Sequence, residues 1–219
     1  MMIDAHQHYW NPARGDYFWM PPDHPVLARS YGPKDLEPML DRHGIERTVL
    51  VQAADTVTET EYMLGIADVT GVVGWVDFEK PEDRAQLERL ARHPKFRGVR
   101  PMIQDIPDDD WMLHEDVQWG YRALIELDLS FDALGFPRHL KNFHTLLTRY
   151  PEMRVVIDHC MKPQIRDGAF EEWAPGMAAL AKDTRACLKL SGSVTEAEDA
   201  WTDEDLRHDA HDVCGHFGP

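Results

Sequence analysis

Cysteine is scarce in this chain: three in 219 residues (Cys160, Cys187 and Cys214), odd in number and without metal-ligand spacing. That excludes a disulfide framework and a cysteine-held metal, and it suits a reducing, cytoplasmic compartment. No apolar run approaches the ~20 residues that a membrane span needs. The opening Met1-Met2-Ile3-Asp4 has neither the basic nor the apolar stretch of a secretion signal. Basic residues are outnumbered, 23 against 39 acidic, for a formal net charge of -16. Such a surface repels phosphate backbones and anionic lipid, so no nucleic-acid or membrane partner is expected. A glycine-rich phosphate loop is missing after the first strand candidate, which argues against a dinucleotide-binding fold.

What is present is a rhythm of short apolar run, polar loop and amphipathic helix, with 43% hydrophobic residues to fill one core. Strands are expected at Met2–His8, Arg47–Ala53, Val72–Phe78, Arg97–Ile103, Leu129–Leu134, Arg154–His159 and Cys187–Ser191. Thr48-Val49-Leu50-Val51 and Val155-Val156-Ile157 have the unbroken apolar character of parallel strands covered on both faces. Helices are expected at Lys34–His43, Tyr62–Asp68, Pro81–His93, Trp119–Leu127, Pro137–Tyr150, Phe170–Lys182 and Thr202–Phe217. Thr58 and Glu61 suggest a capping box for the second, and Pro175-Gly176 should interrupt the sixth. With no internal linker, residues 1–219 read as a single domain of α/β class. Seven strand–helix units favour a (β/α)₈ TIM barrel over an open sheet. The barrel is one strand short, because an eighth would begin at Pro219.

Candidate chemistry starts at Asp4-Ala5-His6-Gln7-His8. Alternation puts His6 and His8 on one face of the first strand, and two imidazoles so placed can share a Zn²⁺ ion. His159 ends the sixth strand, at the end of the barrel where active sites are built. Each of these histidines has a plain structural alternative as a core or surface residue. Arg100 suits an oxyanion or a hydroxyl pair, and equally a salt bridge in the barrel wall. The long segment Tyr9–Tyr31 is aromatic and reads as structureless, either a lid carrying Trp10 and Trp19 over the mouth or a loop packed on itself. Gln52, Trp75, Asp77, Gln104, Lys189 and Ser191 are strand-end or loop residues able to line a pocket, and Trp111 suits its rim. Cys160 reads as a buried apolar residue, and His93, His139, His144, His208, His211 and His216 as surface residues on helices.

Five motifs occur in order: D-x-H-x-H-x-W, G-V-R, F-D, I-D-H-x-x-K-P and K-L-S-G, each at a predicted strand end. In that order they resemble the amidohydrolase-related lactonases, the L-fuconolactonase and L-rhamnonolactonase-like branch near the pyrone-dicarboxylate lactonases. The resemblance spans essentially the whole chain. It implies a metal-dependent hydrolase barrel of carbohydrate metabolism that opens a small-molecule sugar-acid lactone by metal-assisted attack of water. It places His6, His8 and His159 at one divalent metal, Zn²⁺ by preference, although some relatives work without metal. Arg100 joins them in the reaction, and Lys162 would meet a substrate carboxylate or hydroxyl. Asp132 stands where many superfamily members carry a histidine ligand, which implies at most one metal. The family's general base is an aspartate on the eighth strand, so a chain ending at Pro219 is expected to be poorly active or inactive. Two alternatives stay open: an amidohydrolase-type decarboxylase and a non-catalytic ligand-binding barrel fragment. The sequence is silent on oligomeric state.

Overall fold

The computed structural model describes residues 1–218; Pro219, where the eighth strand is expected to begin, lies outside the described residues. The chain forms two compact units, one of Met1–Asp77 with Glu82–Arg100, the other of Phe78–Pro81 with the chain from Pro101 on.

The first unit holds strands β1 (Ile3–Gln7), β2 (Arg47–Val51), β3 (Gly71–Gly74) and β4 (Phe96–Val99), each paired in parallel with the next. Helices α1 (Pro33–His43), α2 (Val57–Leu64) and α3 (Arg84–Ala91) alternate with them. Pro33 opens α1 and Gly44, at φ 65°, closes it, because a left-handed residue without Cβ ends a helix at little cost. Tyr9, Leu50, Met63, Val69 and Val72 form a core cluster between β2, β3 and α2. Close packing of α2 on β3 requires Gly74, since a Cβ there would stand 2.4 Å from the Thr60 methyl group. The expected Thr58–Glu61 capping box is corrected by the structure. Thr56 is the cap and accepts from Glu59 N at 3.0 Å, leaving the Glu59 carboxylate to bond elsewhere.

The second unit holds β5 (Ser130–Ala133), β6 (Arg154–Ile157) and β7 (Cys187–Leu188), again parallel in sequence order. Its helices are α4 (Gln118–Glu126), α5 (Leu140–Arg149), α6 (Phe170–Asp183), α7 (Ser193–Glu196) and α8 (Asp203–Phe217). Tyr121, Phe131, Phe143 and Trp173 are fully buried. Pro175 does not interrupt α6; it lies in the second turn, where the amide it lacks belongs to a helix anchored by Trp173, Met177 and Leu180. Among the described residues, no helix is long and apolar enough to cross a membrane.

The strands stop earlier than the apolar runs suggest: β2 at Val51 rather than Ala53, β4 at Val99 rather than Ile103, and β6 at Ile157 rather than His159. A buried loop is as apolar as a buried strand, so composition does not mark where the ladder ends. As a result Gln52, Arg100 and His159 sit just past their strands, on backbone free to leave the pleat. Two further expectations change. Segment 9–31 is not structureless: it has a 3-10 turn at Pro12–Arg14 and closes through the paired backbones of Trp10 and Tyr31. His139 is not a surface residue but fully buried. Its Nδ1 accepts from Phe136 N at 3.0 Å, its Nε2 lies 3.1 Å from Asp109, and burial lowers its pKa.

Candidate active site

In the first unit the ladder between β1 and β2 slips between Asp4 and Gln7, a bulge of the kind that re-aims side chains. Asp4 stabilises it by accepting from His6 N at 3.0 Å. The outcome is that His6 Nε2 and His8 Nε2 lie 3.2 Å apart. His8 Nδ1 lies 2.8 Å from Val51 O, and a carbonyl can only accept, so Nδ1 carries the proton and, in the neutral ring, Nε2 the lone pair. His6 Nε2 lies 3.5 Å from Arg100 Nη1, and a guanidinium only donates, so this nitrogen also presents a lone pair. Two lone pairs at that separation repel each other unless a cation lies between or beside them. Ligand nitrogens on a tetrahedral zinc with bonds of ~2.0–2.1 Å stand about 3.3 Å apart, so this donor pair fits such an ion.

Arg100 is buried and tightly held. Its Nη2 donates to Gln52 O, while Gln52 Nε2 donates back to Arg100 O at 2.8 Å. The turn after Gln52 is gripped from both sides. Glu59 accepts from Ala53 N and Ala54 N at 2.9 and 2.8 Å, and the Trp19 indole donates to Ala53 O at 2.6 Å. Burial pushes the Glu59 carboxyl up to about 7, against the pull of those two amides. Trp10 stands with its ring centroid 6.4 Å from His8, edge-on to Trp19 and Tyr31, and its indole donates to Leu27 O and Arg29 O. The aromatic loop is therefore packed by its own rings, although Phe18 is exposed. Trp75 N and Asp77 N are held by Thr60 Oγ1 and Asp83 Oδ2, at 2.9 and 3.3 Å.

In the second unit, His159, Cys160, Met161 and Lys162 form a left-handed run after β6, with φ of 51–56° at all four. No glycine is among them, so the run opposes an intrinsic preference of about 1–2 kcal/mol per residue. Backbone outliers of this kind collect at functional sites, held by their surroundings. Here the Trp173 indole donates to Cys160 O at 2.7 Å, and Lys162 N donates to His159 O at 2.8 Å. His159 Nδ1 lies 2.9 Å from Ser191 Oγ. Lys189 Nζ bridges two buried carboxylates, Asp132 at 2.5 Å and Asp158 at 2.8 Å. The Lys162 ammonium stands 5.1 Å from the centre of the Phe136 ring. Gln104 turns onto neighbouring Asp105, and Trp111 is buried, donating to Glu79 at 2.8 Å, rather than standing on a rim. Cys160 is buried as expected, its thiol pushed up to about 12 by desolvation.

The structure thus groups His6, His8, Arg100, Gln52 and Trp10 in one unit, and Asp132, His159 and Ser191 in the other. Sequence reasoning missed Asp158 and Glu59. Asp158 stood in view beside His159. Glu59 gave no signal, because a lone glutamate on an amphipathic helix ordinarily faces water.

Parallel strand–helix units with polar residues gathered past the strand ends define a parallel α/β protein. The chain belongs to the amidohydrolase family, whose sequence profile matches residues 3–219. It is 46% identical over 199 residues to an L-fucono-1,5-lactonase of Burkholderia ambifaria, covering 89% of this chain and 69% of that one. An L-fucono-1,5-lactonase of Burkholderia multivorans is 33% identical over 228 residues, covering 95% and 74%. A crystal structure of a Burkholderia multivorans amidohydrolase with bound zinc superposes with a TM-score of 0.91 at 33% identity, over 100% of this chain and 81% of that one. The fold is therefore the expected (β/α)₈ type, that of the amidohydrolases, with seven strands among the described residues.

Proposed function

We propose that this protein hydrolyses a sugar-acid lactone of the fuconolactone kind, water adding to the ring carbonyl and the ring C–O bond breaking to give the hydroxy acid. The observation that carries the reading is the pair of lone-pair nitrogens on His6 and His8, 3.2 Å apart. In this reading the two units make one barrel domain, and His159 joins His6 and His8 as metal ligands. A divalent ion held there, zinc by preference, supplies Lewis-acid polarisation of the lactone carbonyl. Arg100, held rigidly by Gln52, offers a permanent positive charge to the oxygen that becomes negative as water adds. Lys162 and Trp10 provide an ammonium and an aromatic edge for the hydroxyls of the sugar. Support comes from the family match running through both units and from the lactonase relatives.

Metal analysis of the purified protein tests the core of this. Zinc is expected near one per chain in the native protein, and absent from His6→Ala and His8→Ala variants that keep native circular dichroism. Turnover on a panel of fucono-, rhamnono- and galactono-lactones, weak as expected of this chain, is then expected to favour one stereochemical series and to fall with the metal. Native protein that binds no zinc and opens no lactone overturns the reading. A second reading follows from Arg100 Nη1, which lies 3.5 Å from His6 Nε2 and could itself be the cation that the two nitrogens face. Lactone turnover that survives removal of metal but fails in Arg100→Met would select it.

A further inference from the structure

We propose that Ser191 is a positioning residue: its hydroxyl accepts the Nδ1 proton of His159, fixing the ring in the tautomer that presents Nε2 as a lone pair. The proposal rests on the assignment of His159 to the reaction centre. Metal-ligating histidines depend on such a partner at the second nitrogen, and losing it weakens metal binding roughly 10–100-fold.

Three observations in the second unit converge on this ring. Ser191 Oγ lies 2.9 Å from His159 Nδ1. A Cβ at Gly192, whose φ is 74°, would stand 2.9 Å from ring atoms Cγ and Nδ1, so the ring lies against bare backbone and cannot swing that way. Lys189, two residues upstream, binds this segment to the strand before His159. Its backbone N–H donates to Ile157 O at 2.9 Å, and its ammonium holds Asp158 at 2.8 Å. His159 itself stands on the left-handed run, where the backbone has no intrinsic reason to stay. The segment Lys189-Leu190-Ser191-Gly192 therefore supplies from outside what the His159 turn lacks: a fixed backbone, a ring wall and a proton acceptor. This gives the K-L-S-G stretch a role distinct from direct contact with substrate.

The test uses zinc titration together with the long-range ¹H–¹⁵N spectrum of the histidine rings, His159 being assigned by its loss in His159→Gln. In the native protein the His159 ring is expected as the Nδ1–H tautomer. Ser191→Ala is expected to mix the two tautomers and to weaken zinc binding roughly 10–100-fold, while Ser191→Thr, which keeps the hydroxyl, stays near native in both. Thermal unfolding should move little for either, separating positioning from loss of fold. Ser191→Ala with an unchanged ring spectrum overturns the proposal. If the native protein takes up no zinc, the metal reading fails while the ring spectrum still decides the role of Ser191.

Discussion

Replacing Lys189 by methionine is expected to destabilise the protein by about 3–5 kcal/mol, the usual loss when one partner of a buried ion pair is removed. Lys189 lies between Asp132 Oδ2 at 2.5 Å and Asp158 Oδ1 at 2.8 Å, and all three side chains are almost fully buried. One ammonium against two carboxylates leaves these three groups at a net charge of -1. Methionine has nearly the same length and fills the space, but it takes the sum to -2 with the carboxylates held together in low dielectric. For a chain of this size the loss lowers the midpoint of thermal unfolding by roughly 10 °C. Asp132→Asn is expected to cost clearly less, since it brings the remaining pair to neutrality and keeps a hydrogen-bonding group. Restoring balance in the double variant Lys189→Met with Asp132→Asn should recover part of the loss. A double-mutant cycle in urea measures that coupling. Strictly additive effects, or an Asp132→Asn loss as large as that of Lys189→Met, would remove the electrostatic account of this cluster.

The same cluster shows what a sequence reveals and what it withholds. Strand cores such as Thr48–Val51 and Val155–Ile157 are visible because burial on both faces demands unbroken apolar residues, and the stop at Gly44 is visible because a left-handed helix end favours glycine. His6 and His8 are visible because two-residue spacing on a strand implies a shared face. The bulge between Asp4 and Gln7 is not, since its cause is register against β2, a relation between distant segments. Nor does any residue between His159 and Lys162 announce a left-handed run. It is imposed by Trp173 and by the segment around Ser191, respectively 11 and 29 residues beyond Lys162 in the numbering. Burial of His139 is hidden for the same reason: its partners, Phe136 N and Asp109, are fixed only once the loops pack. Local preference locates the elements, and tertiary contact decides what the polar residues at their ends do.

Glu59 extends this to pH. Its carboxyl is fully buried in the native state and pushed up to about 7, first by desolvation, against the two amides of Ala53 and Ala54 that favour the charged form. In the unfolded chain it returns to an ordinary value near 4.3. Between those values the folded protein holds a proton that the unfolded chain has lost. The stabilising contribution is therefore complete below the unfolded pKa and is lost as pH rises through about 7. The size follows from the shift, on the order of 3 kcal/mol across that window. Glu59→Gln keeps an oxygen for the two amides and cannot ionise. Its stability in urea is expected to match the native protein near pH 4 and to exceed it near pH 8, the two curves diverging between about 4 and 7 and running parallel above that. The turn it supports leads through Gln52 to Arg100, so the guanidinium beside His6 is held in part by the same buried carboxyl. Parallel stability curves for the two proteins from pH 5 to 8 would show that Glu59 ionises without penalty and that the turn does not depend on its proton.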